Sequence, residues 1–97
     1  EIVSLTAEPT PGGVIIATTG VAPTQGFWEP ALVNVPSDNP DIYVLEFRVR
    51  PPAVSEPTGP RPTREVLAGT FLSTQTLRGA RQILVVGAQN RRAVRQR

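Results

Sequence analysis

Four arginines fall within the last seven residues of this 97-residue chain: Arg91, Arg92, Arg95 and Arg97. Such a run can gather phosphates, carboxylates or an anionic surface, because a guanidinium stays charged at any physiological pH and presents a fork of N–H donors. Two other groupings bear on chemistry. Asp38 and Asp41 flank Asn39 and Pro40, and two carboxylates at this spacing can touch a cation, though the same residue types also make turns. Phe27 and Trp28 follow Gly26, where an aromatic pair can line a binding patch. Trp28 is in phase with Leu32 and is assigned to the core, which leaves Phe27 as the candidate exposed aromatic contact.

The residue types that are missing narrow the chemistry further. There is no Cys, His or Met, and all ten basic residues are Arg. Without Cys there is no thiolate nucleophile, disulfide or Cys-based zinc site. Without His there is no side chain that ordinarily titrates near neutrality. Without Lys there is no Schiff-base or P-loop lysine. A hydrolase built on two carboxylates would need them close together in a cleft, and a chain this short can enclose little of one. We therefore expect no enzyme, and assign no catalytic, cofactor-binding or metal-ligating residue. Nucleic acid is not expected as a partner. The five aromatics, Phe27, Trp28, Tyr43, Phe47 and Phe71, fall mostly at inward positions, and no RNA- or DNA-binding motif is present.

Charge is divided unevenly along the chain. Residues 1–60 hold seven acids and two Arg, a net −5; residues 61–97 hold eight Arg and Glu65, a net +7. The basic end reads in two ways. It can be a solvated edge strand kept from pairing by its charge, or an anion- or partner-binding element formed by Arg91, Arg92, Arg95 and Arg97.

The elements that must position these residues are short. Eleven Pro and eight Gly cut the sequence into brief apolar runs, as in an all-β chain. Strands are expected at 2–7, 14–19, 27–33, 42–50, 64–73 and 82–88, with 92–96 as a last strand or a tail. Pro30 cannot donate to a ladder, so an edge position or a bulge is expected there. In 42–50, Tyr43, Leu45, Phe47 and Val49 share one face, opposite Glu46, Arg48 and Arg50. Leu67 and Phe71 are expected to point inward. Residues 51–62 contain five Pro and should form an exposed connection. Residues 74–79 read as a single turn that carries Leu77 as a plug. Ile83, Leu84, Val85 and Val86 are consecutive, which suits a central strand.

Six or seven short strands in one domain covering 1–97 point to a β-sandwich, with 91–97 as its basic edge strand or tail. The segment from Leu77 to Asn90 resembles the corner and following strand of fibronectin type III and related immunoglobulin-like domains, with Ile83 near the place of that family's corner tyrosine; Trp28 on the third strand is a second point of likeness. The resemblance implies an immunoglobulin-like sandwich of six to seven antiparallel strands. The whole chain also resembles small, Arg-rich, Lys-free exported lipoproteins of GC-rich bacteria, which implies a periplasmic or cell-envelope location. The start at Glu1 leads us to expect an upstream segment, a signal peptide or lipid anchor, that has been removed. The expected role is a non-catalytic structural or protein-interaction module of the bacterial envelope. The alternative is an adaptor on an anionic surface, phospholipid or acidic partner, held through the C-terminal Arg cluster. No cofactor is expected, and the edge strands allow a homodimer.

Overall fold

A computed structural model describes residues 1–77 and 79–95. Strands β1 (Ile2–Thr10) and β2 (Gly13–Val21) form a hairpin about Pro11 and Gly12. Pro at the first central position and a φ of +84° at Gly12 in the second are what such a tight turn asks of its residues. β5 (Glu65–Ser73) pairs with the other edge of β2, giving the sheet order β1-β2-β5, antiparallel throughout.

β1 contains a device that alternation alone does not show. Its register slips between Ile2 and Ser4, so one extra residue is accommodated opposite β2. Without that bulge, Ile2 would lie on the face opposite Leu5 and Ala7. With it, Ile2 is 2% exposed and joins the core against which Leu5 and Ala7 pack.

The second sheet has the order β3-β4-β6-β7, made by β3 (Trp28–Val35), β4 (Ile42–Arg50), β6 (Gln82–Val86) and β7 (Arg91–Arg95). Six to seven strands were expected, and seven are present among the described residues. The expectation that all of them are antiparallel is corrected: β4 and β6 run parallel, with Leu45 opposite Val85. Parallel neighbours require a long crossover, here the Pro-rich connection, β5 in the other sheet, and the short helix α1 (Thr74–Leu77). The Asp41 carbonyl, at the head of β4, accepts the N–H groups of both Arg81 and Gln82, so β4 and β6 start at the same end. Strand patterning reports which face of a strand is dry; it carries no information about which neighbour the strand takes or in which direction.

The two sheets share one apolar core. Val14, Ile16 and Leu72 enter from one, Leu45, Ile83 and Val85 from the other, and Leu77 plugs an end. Burial of each such side chain is worth roughly 1.5–3 kcal/mol. α1 is placed by Ser73, whose Oγ accepts the Thr76 N–H at 3.0 Å, an N-cap that turns Leu77 inward.

Two expectations about facing are overturned. Leu67 and Phe71 point outward, 71% and 53% exposed, while Ala68 and Leu72 are buried. Ala68 and Leu72 take the inner face of β5, and strand alternation then turns Leu67 and Phe71 outward. Trp28 is also outward, 53% exposed. The register slips between Trp28 and Ala31, with Glu29 at a φ of +54°, and the slip breaks the phase with Leu32, which does pack on the core. Pro30 lies inside this irregularity on an edge strand, as a residue without an N–H requires.

Residues 51–60 form no helix or strand. Gln25 anchors this connection. Its N–H donates to the Pro57 carbonyl at 3.1 Å, and its side-chain amide donates to Thr63 Oγ1 at 2.9 Å. Gly59, at a φ of +64°, lies against that amide where any Cβ would collide.

The N-terminus and the last hairpin are tied together by Asn90. Its Oδ1 accepts the Ile2 N–H at 2.7 Å, and its Nδ2 donates to the Ile2 carbonyl at 2.8 Å. One side chain thus continues the ladder where β1 has no strand neighbour on that side.

Candidate functional site

Among the sequence candidates, Arg91, Arg92 and Arg95 lie on β7, the edge of the four-stranded sheet; Arg97 lies outside the described residues. They do not form one cluster. Val94 packs on the core, so Arg92, two residues away, shares its side of the strand, and Arg91 and Arg95 take the other. Arg92 Nε donates to the Ile2 carbonyl at 3.2 Å, a structural contact. Arg91 and Arg95 border the outer face of the sheet, about 13 Å apart at the usual rise per strand residue.

That outer face has an aliphatic centre. Register places Arg91 beside Val86, Ala93 beside Leu84, and Arg95 beside Gln82; Leu84 and Val86 in turn adjoin Val44 and Glu46 of β4. Leu84, Val86 and Val44 are half-buried. Arg48 pairs with Glu46, and Arg50 with Glu29. These pairs are exposed and add little stability each.

Sequence reasoning missed Arg81. It sits one residue before β6, and because Gln82 pairs with Arg95, the hairpin brings Arg81 and Arg95 to the same cleft with Asn39 and Asp41. A β6–β7 register counted from the turn at 87–90 would have found it. Asp38 and Asp41 belong to a turn in which Ser37 Oγ accepts the Asn39 N–H and Asn39 Oδ1 accepts the Asp41 N–H. Among the described residues, no three acidic side chains gather to hold a metal ion.

Also missed was the outer face of the three-stranded sheet. Ile15 lies directly opposite Phe71, and Thr19 opposite Leu67. Ala17 and Gly69 lie between them. Glu8 and Glu65 stand at the border of this surface, Glu65 in an exposed pair with Arg61. The Phe71 ring lies over Gly13, where an added Cβ would meet it. No large side chain or helix of the described residues covers this face.

Phe27, expected as the exposed aromatic, is half-buried and lines a small hollow with Thr63 and Arg64. The exposed ring is Trp28, held by its indole N–H donating to the Pro51 carbonyl at 3.2 Å and by the Arg50 guanidinium, 5.6 Å from the ring centroid.

Comparison with known protein families, curated proteins and solved structures finds no match to this chain. No helix among the described residues is long and apolar enough to cross a membrane.

Proposed function

We propose that this chain is a non-catalytic protein-interaction module of the bacterial envelope, with the outer face of the three-stranded sheet as its contact surface. The observation that carries the reading is the exposure of Ile15, Leu67 and Phe71 on one strand-supported face. Contiguous exposed apolar surface on a small domain ordinarily marks a partner site. Glu8, directly across from Ile15 at the border, suits a partner whose apolar patch carries a basic group. The acids of the chain support the non-catalytic part: Glu29, Glu46 and Glu65 are paired with Arg on open surface. The envelope location rests on the resemblance to exported lipoproteins, and fractionation of cells expressing the full-length gene product tests it.

The fold belongs to the same proposal. The order β1-β2-β5 and the adjacent pair β6-β7 agree with an immunoglobulin-like sandwich, and we read the chain as a variant in which β4 stands between β3 and β6. Cross-strand proton contacts between β4 and β6, measured by NMR, test that register.

The contact surface is tested by a photo-reactive side chain at position 67 in the native host, with Thr58 as an exposed control site. A discrete adduct from position 67 and none from position 58 is expected. Equal labelling at both, or none at 67, overturns the reading.

A second reading, an adaptor on an anionic surface, is favoured by Arg91 and Arg95 bordering the aliphatic face of the other sheet. Exchange of Arg91, Arg92, Arg95 and Arg97 for Gln should then abolish salt-dependent binding to anionic vesicles. Unchanged binding removes this reading.

A further inference from the structure

We propose that the end of β7 holds a binding site for a single-chain amphiphile with an anionic head, a carboxylate or a phosphate. Two hollows meet at Arg95. One, of about 340 Å³, lies between the sheets, with Ala7, Pro9 and Val14 on one side and Ile83 and Val94 on the other. The other, of about 440 Å³, is polar and is lined by Asn39, Asp41, Arg81 and Gln82. Arg95 is a wall of both. Ligand sites commonly have this size, an apolar body and a few convergent polar groups.

The polar hollow selects for an anion. Arg81 and Arg95 both line it, and neither pairs with a described carboxylate, whereas Arg48, Arg50 and Arg61 do. Asp41 stands in the same cleft and opposes an anion, but two guanidiniums outnumber it. Arg81 is held in place because its own N–H and that of Gln82 converge on the Asp41 carbonyl, at 2.7 and 3.0 Å. Asn39 Oδ1 is already taken by the Asp41 N–H, which leaves the Asn39 NH₂ to donate to a head group.

The apolar hollow selects for a tail. Val14 and Ile83, 6% and 1% exposed, form its floor, and the half-buried Ala7 and Val94 and the exposed Pro9 give a tail a mainly apolar surface to lie against. Each buried methylene strengthens binding about fourfold. Arg95, near the end of β7, lines both hollows, so a head group held in the polar one lies beside the entrance to the apolar one. The site is independent of the Leu67–Phe71 face, and it differs from a flat anionic-surface site in depending on Arg81 and not on Arg91.

NMR titration of the 97-residue chain with octyl phosphate, octanoate, octanol and inorganic phosphate tests the proposal. Octyl phosphate and octanoate should give saturable shifts at Val14, Ile83 and Val94. Arg81→Gln should weaken both by about tenfold, and Arg91→Gln should leave them unchanged. Ala7→Leu, which fills the apolar hollow, should abolish tail-dependent binding; thermal melting and the spectrum of the unliganded variants establish that they are folded. Inorganic phosphate binding as tightly as octyl phosphate would reduce the site to a simple anion cleft and overturn the proposal. Octanol binding equally well would overturn it from the other side, as would the lack of saturable shifts with any probe.

Discussion

The two sheets cover one core and turn very different outer faces to water. On the four-stranded sheet, Val44, Leu84 and Val86 are half-buried beside Glu46, Arg48, Arg91 and Arg95. On the three-stranded sheet, Ile15, Leu67 and Phe71 stand open with no basic side chain among them. Edge charge is a common defence against unwanted pairing, and long charged side chains shield the aliphatics beside them. One face of this molecule carries charges of both signs beside its aliphatics, and the other leaves its large apolar side chains exposed.

The largest effect should come from the core that both faces share. Leu45→Ala removes a side chain only 2% exposed, packed between the sheets. It should cost about 2–5 kcal/mol in urea unfolding, with both sheets lost in a single transition. Two separate transitions would mean that the faces belong to independently stable units.

A smaller loss should separate the two regions. Asn90→Ala removes both hydrogen bonds to the Ile2 backbone. A cost of about 1–3 kcal/mol is expected from two part-buried backbone groups left unpaired. Hydrogen exchange should rise in β7 and at the start of β1, while the β2–β5 ladder under Leu67 and Phe71 keeps its protection.

Much of this arrangement was legible in the sequence. The alternation in 42–50 placed Leu45 and Phe47 inward and Glu46 and Arg48 outward, and the strand spans those residues. Pro30 announced the irregularity in β3, and Leu77 is the buried plug of its turn. Trp28, Leu67 and Phe71 were misread because the face of each strand was assigned without its register. A slip near Glu29 turned the first outward, and Ala68 between Leu67 and Phe71 left their face of β5 to solvent. The Arg81–Arg95 cleft was illegible without the β6–β7 register, because the two residues are fourteen positions apart in the chain.

Effects at the surface should be slight on stability and sharper on binding. Arg48→Ala breaks an exposed pair with Glu46 and should cost about 0–1 kcal/mol, less at high salt. Leu67→Ser should shift stability by no more than about 0.5 kcal/mol, since the side chain is 71% exposed. The same change should remove the partner adduct formed from a photo-reactive residue at position 71. Loss of the adduct after Arg48→Ala instead would reverse the roles of the two faces.

Composition and local pattern decided that this chain would be built of short strands, which residues of β4 would be dry, where the prolines would break the ladder, and which chemistries lack their side chains. Those are properties of neighbours in sequence, set by backbone sterics and by a period of two. The tertiary structure decided the parallel β4–β6 pair, the outward turn of Trp28, Leu67 and Phe71, the pairing of Asn90 with Ile2 and the meeting of Arg81 with Arg95. These depend on register and bulges, where a shift of one residue exchanges the faces of a strand, and on contacts between segments that the chain order keeps far apart.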